Sequence, residues 1–162
     1  MDGSANDQYA RAPKVEDLVN LCRLLNQSKV RYILIGGFAM ILHGFVRGTK
    51  DVDLLVDASE ENVLRIKEAM GQLPDNAIAL IENTDVATYQ VVRVADEIVV
   101  DLLANACDIS YEQAKADVVL KNVDTIQIPV ASKKMLIRMK DTVRPADHMD
   151  VAFLKQLIQK EP

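Results

Sequence analysis

Three aspartates carry the chemistry this sequence can do. Asp51 and Asp53 open an apolar run, Asp51-Val52-Asp53-Leu54-Leu55-Val56-Asp57, and Asp101 interrupts another, Ile98 to Leu103. Side chains alternate along a strand, so Asp51 and Asp53 share one face while Val52 and Leu54 point to the other. Two carboxylates so placed repel each other, and a hard, oxygen-loving divalent cation is the usual remedy. Mg²⁺ suits them, and Mn²⁺ would also serve; in two-metal sites the ions stand about 3.5–4 Å apart. Asp57 has the right parity to join them but sits at the strand's end, as a turn residue. Asp101 is a lone acid among apolar neighbours, where an unpaired charge is expensive to bury. It needs a partner, either a metal held jointly with Asp51 and Asp53 or a buried salt bridge to an arginine.

The elements that must position these acids are legible nearby. Tyr32-Ile33-Leu34-Ile35 reads as a short strand broken by Gly36-Gly37, and Phe38 to Leu42 as a short buried helix ending near Gly44. Gly-Gly lets the backbone approach a phosphate closely, and the helix after it offers free N–H groups. Arg47, Thr49 and Lys50 stand just before the acids, where triphosphate oxygens would lie.

Gly36-Gly37, a spacer of thirteen residues and then Asp51-Val52-Asp53-Leu54 resembles the signature of the DNA polymerase β-like nucleotidyltransferase superfamily. Arg47-Gly48-Thr49 is similar to its stand-alone bacterial and archaeal branch, which includes AbiEii-like toxins and other minimal nucleotidyltransferases. So is the stretch from Ile128 through Lys140, Arg144, Asp147 and Asp150. The resemblance implies an α/β (α+β) fold with a small mixed sheet and helices mainly on one face. It also implies a third acid one or two strands after the pair, a place that Asp101 fills. Asp51, Asp53 and Asp101 would then be catalytic metal ligands in a two-metal Mg²⁺ site. Gly36, Gly37, Arg47, Thr49 and Lys140 would bind the nucleoside triphosphate. Many members carry serine where this chain has Gly37, which offers only its N–H. The implied reaction moves a nucleotide onto a hydroxyl acceptor and releases pyrophosphate. An RNA 3′ end or a protein is the toxin-like acceptor, with a partner protein implied by a toxin–antitoxin pair. A small antibiotic is the alternative, and a non-catalytic binding module of the same fold a third reading.

Composition narrows this further. At 162 residues, 49% hydrophobic and 27% charged, the chain is expected to form one domain from residue 14 to 162 after a loose polar tail, 1–13. No apolar run nears the roughly 20 residues that span a bilayer, so no membrane association is expected and the location reads as cytoplasmic. Cys22 and Cys107, far apart in apolar contexts, read as two buried free thiols. The net charge of −5 gives no overall basic footprint for long nucleic acid, although Lys133, Lys134, Arg138, Lys140 and Arg144 cluster. His43 and His148 lack a second ligand at metal spacing.

Helical periodicity predicts a helix from Val15 to about Gln27 and another after Ser59, stopped by Gly71 and Pro74. Ile78 to Ile81 and Thr88 to Val94 read as strands, the second folding back through a turn at Asp96-Glu97 onto Ile98–Leu103. Ser110 and Gln113 form a capping box for a helix to about Val118, and Val123–Val130 reads as a strand with Pro129 at its end or on an edge. Ser132 and Arg144-Pro145 begin the last two helices, over 132–160, which close one side of the cleft. Asp147 and Asp150 are explained by their place at a helix start. Tyr89 and Tyr111 read as half-buried tyrosines, with base stacking the alternative.

Overall fold

The computed structural model describes residues 10–161. Helix α1 (Val15–Gln27) buries Leu18, Leu21, Cys22 and Leu25. Strand β1 (Tyr32–Ile35) leads directly into α2 (Gly36–Leu42), and β2 (Asp51–Val56) returns antiparallel to β1. Helix α3 (Glu60–Met70) starts at Ser59, whose hydroxyl accepts the Asn62 N–H. Then come a 3₁₀ turn (Ala77–Leu80), a single turn α4 (Asp85–Thr88), and strands β3 (Val92–Ala95) and β4 (Val99–Leu103). A small hairpin, β5 (Asn105–Ala106) with β6 (Ile109–Ser110), precedes α5 (Tyr111–Ala114) and strands β7 (Val118–Val123) and β8 (Ile126–Ala131). Helices α6 (Lys133–Met139) and α7 (Pro145–Gln159) follow.

The large sheet is mixed, with six strands in the order β3-β4-β2-β1-β8-β7. β2 lies parallel to β4, and β1 parallel to β8. Parity divides its faces. Val52, Leu54, Val94, Val100, Leu102 and Leu34 share one face, all buried. Tyr32 shares that face and donates its hydroxyl hydrogen to Asn26 at the end of α1 (2.9 Å), which puts α1 and its neighbour α3 on that side. The opposite face carries Asp51 and Asp53 and is left open at its acidic end. Cores of this kind gain roughly 1.5–3 kcal/mol for each large apolar side chain fully buried, so this parity fixes which way the aspartates point.

Several sequence expectations change at the sheet's margins. Ile78–Ile81 is a 3₁₀ turn, not a strand, because the buried Asp96 carboxylate takes the N–H groups of Asp75 (3.1 Å) and Ala77 (3.0 Å) and bends the chain. The strand predicted from Thr88 begins only at Val92, since β4 ends at Leu103 and offers no partner beyond it. The helix predicted to reach Val118 stops at Ala114 and runs into a 3₁₀ turn, Lys115–Asp117. The strand predicted over 123–130 is present from Ile126 as β8; Val123 instead ends β7, and the two are joined by a turn at Asp124 with φ +52°. Pro129 lies inside β8, between β1 and β7, where the paired register with β1 is confined to Leu34↔Val130. Cys22 is buried as expected. Cys107 is not: it sits exposed at the β5–β6 turn with φ +46°, its thiol 3.0 Å from the Met139 carbonyl. Residues 1–9 of the predicted tail lie outside the described residues; beyond them Arg11 pairs with Asp17 (2.6 Å) and Glu97 (2.8 Å). No helix of the described residues is long and apolar enough to cross a membrane.

Candidate active site

The β2–β4 pairing places Asp53 directly beside Asp101, and the β3–β4 pairing places Arg93 beside Asp101. Asp53 in turn pairs with Ile35 on β1. Arg93, Asp101, Asp53 and Ile35 therefore form one row across four strands, on one face. Asp51, two residues before Asp53, joins them. Each of the three aspartates offers a carboxylate oxygen, and the three oxygens lie within 4.8 Å of one another.

Burial and crowding act on these acids in a predictable direction. The Asp53 carboxyl is pushed up to about 7, first by burial, then by the charges of Asp51 and Asp101 and a hydrogen bond with Asp101. Lys140 pulls the other way. Asp101 is also buried, and Arg93 forks onto it: Nε donates to Oδ1 (2.9 Å) and Nη2 to Oδ2 (3.0 Å). The same Nη2 reaches Asp51 Oδ2 at 3.3 Å. The two partners weighed for Asp101 from sequence thus occur together, an arginine salt bridge inside a cluster of metal-ligating geometry.

Gly36 is required where it stands. Its φ is +72°, and a Cβ there would lie 2.1 Å from Asp53 Oδ2. Gly37 is restricted by a different neighbour, since a Cβ on it would come 2.6 Å from Thr49 Oγ1. Thr49 fills the space that a serine at position 37 would need, which accounts for this departure from the usual pair. The Thr49 hydroxyl meanwhile donates to the Asp51 carbonyl (3.0 Å), holding the start of β2.

A cleft of about 840 Å³ opens over the acids. Of the residues singled out from sequence, Gly36, Asp51, Asp53, Asp101 and Lys140 line it, with Arg93 and Arg144; Gly37, Arg47 and Thr49 stand behind it. Arg47 points at helix α7, with Nη1 2.7 Å from both Asp150 oxygens. Lys140 is buried, its ammonium 2.9 Å from Asp150 and 3.6 Å from Asp147. Arg144 and Thr142 both bind Asp147, at 2.7 and 2.6 Å. Asp147 and Asp150 are therefore more than helix-start acids: both are buried and paired. Burial alone would raise the Asp147 carboxyl, but Arg144 and Thr142 outweigh it and hold it below the usual range. Phe45 meets Phe153 edge to face with ring centroids 4.5 Å apart, a second tie between the loop before β2 and α7.

His43 is buried with Nε2 2.9 Å from the Ala131 carbonyl. Asp57 binds Arg31 (2.7 Å) and the Ser59 N–H (3.0 Å), as a turn residue does. Tyr89 is exposed on the cleft wall rather than half-buried in a strand, because β3 starts after it. Arg93 is the site residue that sequence reasoning passed over. A two-residue turn at Asp96-Glu97 would set Arg93 opposite Val100; the turn takes in Ile98 as well, and that one-residue shift brings Arg93 opposite Asp101.

No protein-family profile matches the chain, and no curated protein does. Solved structures do. A lincomycin-bound lincosamide antibiotic adenylyltransferase, LnuA, aligns over 91% of this chain and 99% of its own, with a TM-score of 0.61 and 18% identity. The "putative nucleotidyltransferase" TM1012 from Thermotoga maritima aligns over 95% of this chain and 99% of its own, with a TM-score of 0.54 and 13% identity. The row of acids and the Gly36 turn thus stand on a mixed α/β sheet of the nucleotidyltransferase fold.

Proposed function

We propose that this protein is a metal-dependent nucleotidyltransferase, moving an NMP from an NTP to a hydroxyl acceptor and releasing pyrophosphate. The observation that carries this reading is the convergence of Asp51, Asp53 and Asp101 on the floor of the cleft, oxygens within 4.8 Å. The donor set fits a hard divalent ion: three carboxylates, one of them buried against a glycine with no room for a Cβ. Asp51 and Asp53 would hold the ion that meets the triphosphate, and Asp53 with Asp101 the second. When bound, Mg²⁺ or Mn²⁺ supplies Lewis acidity and lowers the pKa of the acceptor hydroxyl. Lys140 and Arg144 add positive charge on the same cleft, where the departing pyrophosphate needs it. Gly37, Arg47 and Thr49 act one layer back, by fixing the loop and the start of β2.

For the acceptor, an RNA 3′ end or a protein is the toxin-like possibility, with a partner protein of the kind such pairs use. A specific observation favours a small hydroxylated molecule instead. The chain matches an antibiotic adenylyltransferase almost end to end, and its charge of −5 gives no basic footprint for RNA. The cleft's volume lies in the range of small-molecule sites. Incubation with each labelled NTP and, separately, total RNA, total protein and a panel of hydroxylated antibiotics tests this. Label is expected in the antibiotic arm; label only in RNA or protein would establish the toxin-like acceptor. Absence of both transfer and calorimetric binding of any Mg²⁺–NTP would leave a non-catalytic module and overturn the proposal.

A further inference from the structure

Arg93 places a positive charge among carboxylates that a metal is expected to bridge. Its fork engages both Asp101 oxygens and reaches one of Asp51, at 2.9 to 3.3 Å. Those are oxygens that a divalent ion would need. Its side chain is 39% exposed and lines the cleft, so it has room to leave without unfolding the edge strand that carries it. Its strand register aligns it with Asp101 itself, so the contact is built into the β3–β4 pairing and is not a chance approach of a long side chain.

We infer that Arg93 is a resident counter-ion, holding Asp101 and Asp51 converged before metal arrives and yielding them when a nucleotide brings one. This deepens the nucleotidyltransferase reading and rests on it. Two consequences follow from the electrostatics. Without nucleotide, a metal must displace a two-pronged charge-assisted hydrogen bond, which lowers its apparent affinity. With nucleotide, the released guanidinium faces phosphate oxygens, its next best partners, so metal and nucleotide strengthen each other's binding through this residue. Arg93 is therefore a positioning residue that makes the site respond to the metal–nucleotide complex more than to the free ion.

Calorimetric titration of MnCl₂ into the nucleotide-free full chain tests this with wild type, Arg93→Gln, Arg93→Lys and Arg144→Gln. Arg144→Gln removes an equal charge from the same cleft without touching the three acids, and although it also takes a partner from Asp147, it bounds how far the loss of charge alone alters Mn²⁺ affinity. Arg93→Gln is expected to bind Mn²⁺ at least about tenfold more tightly than wild type. Arg93→Lys, which keeps the charge but loses the fork, should fall between, and Arg144→Gln should stay within about threefold. A tenfold change corresponds to about 1.4 kcal/mol. Repeating the titrations with a non-hydrolysable NTP should show a smaller nucleotide-induced gain in Mn²⁺ affinity for Arg93→Gln than for wild type. Circular dichroism melts confirm that each variant is folded. If Arg93→Gln binds Mn²⁺ no better than wild type, or no better than Arg144→Gln, the counter-ion role is wrong while the metal site stands. If wild type and all variants bind no Mn²⁺ with or without nucleotide, the enzyme reading falls and this inference falls with it.

Discussion

Two clusters of charge among the described residues are built on opposite plans. On the sheet, three carboxylates crowd together with Arg93 forked onto them, and Asp53 is pushed upward by burial and then by its neighbours. Between the loop before β2 and helices α6 and α7, Asp147 and Asp150 meet Arg47, Lys140 and Arg144. There positive charge is plentiful, and Asp147 is held below the usual carboxylate range. One cluster keeps an excess of negative charge that an external cation can relieve; the other sets three cations against two acids and fastens the C-terminal helices over the cleft. Sequence alone reads the first as a metal site and the second only as acids at a helix start. The difference lies in the partners that folding supplies.

The sharpest way to separate the two is to remove one carboxylate from each. Asp101→Asn removes one of the proposed metal ligands and a negative charge while keeping shape. Nucleotide transfer is expected to fall by at least about 10⁴-fold, or about 5 kcal/mol of transition-state stabilisation, with the metal-free melting temperature unchanged or raised. Full transfer of label by this variant would remove Asp101 from the mechanism. Asp150→Ala should behave in reverse. It takes from the buried Lys140 its nearer acid, leaving only Asp147 at 3.6 Å, and deprives Arg47 of its partner, at a cost of about 3–5 kcal/mol of stability whether or not metal is present. Urea denaturation measures this, and a loss under 1 kcal/mol would mean that the network is ornamental.

A smaller effect tests the glycine pair. Gly37→Ala drives a methyl group against Thr49, whose branched side chain is tied to the start of β2. Overpacking of this kind costs about 1–3 kcal/mol. Combining it with Thr49→Gly, which clears the space, should recover stability relative to Thr49→Gly alone; a strictly additive pair of losses would show that the two residues do not interact.

How much of this could be read from the chain depends on whether the deciding contact is local. Helix α1 emerged from its own periodicity, and β2 from its alternation, so the face carrying Asp51 and Asp53 was legible. Asp101 was legible because an acid inside an apolar strand demands a partner. The strands misjudged at 78–81 and 88–91 were decided by distant groups, namely the Asp96 carboxylate in one case and the end of β4 in the other. Lys140, read from sequence as a phosphate-binding candidate, lines the cleft, but its two acidic partners are seven and ten residues further along and meet it only when α7 packs back on α6. Arg93 meets Asp101 only because the turn is one residue longer than Asp96-Glu97, and Arg47 turns toward Asp150 across 103 residues, so neither contact was legible.

Acid sharpens the same contrast by sign, with the smallest and most diagnostic effect. Asp53 has a folded pKa of about 7 against an ordinary value of 3.8. Between those values the folded chain holds a proton that the unfolded chain does not, so this group's contribution to metal-free stability falls as pH rises from about 4 to about 7. Asp147 is lowered instead, so its contribution is present above the unfolded value and lost as pH falls below it. In EDTA, wild type should therefore lose melting temperature relative to Asp53→Asn between pH 5 and 7, and relative to Asp147→Asn only below about pH 4. Saturating Mn²⁺ holds Asp53 ionised and should abolish the first slope while leaving the second, because only the sheet cluster has an ion to gain. Equal slopes for both variants in one window would mean that the two clusters are electrostatically alike after all.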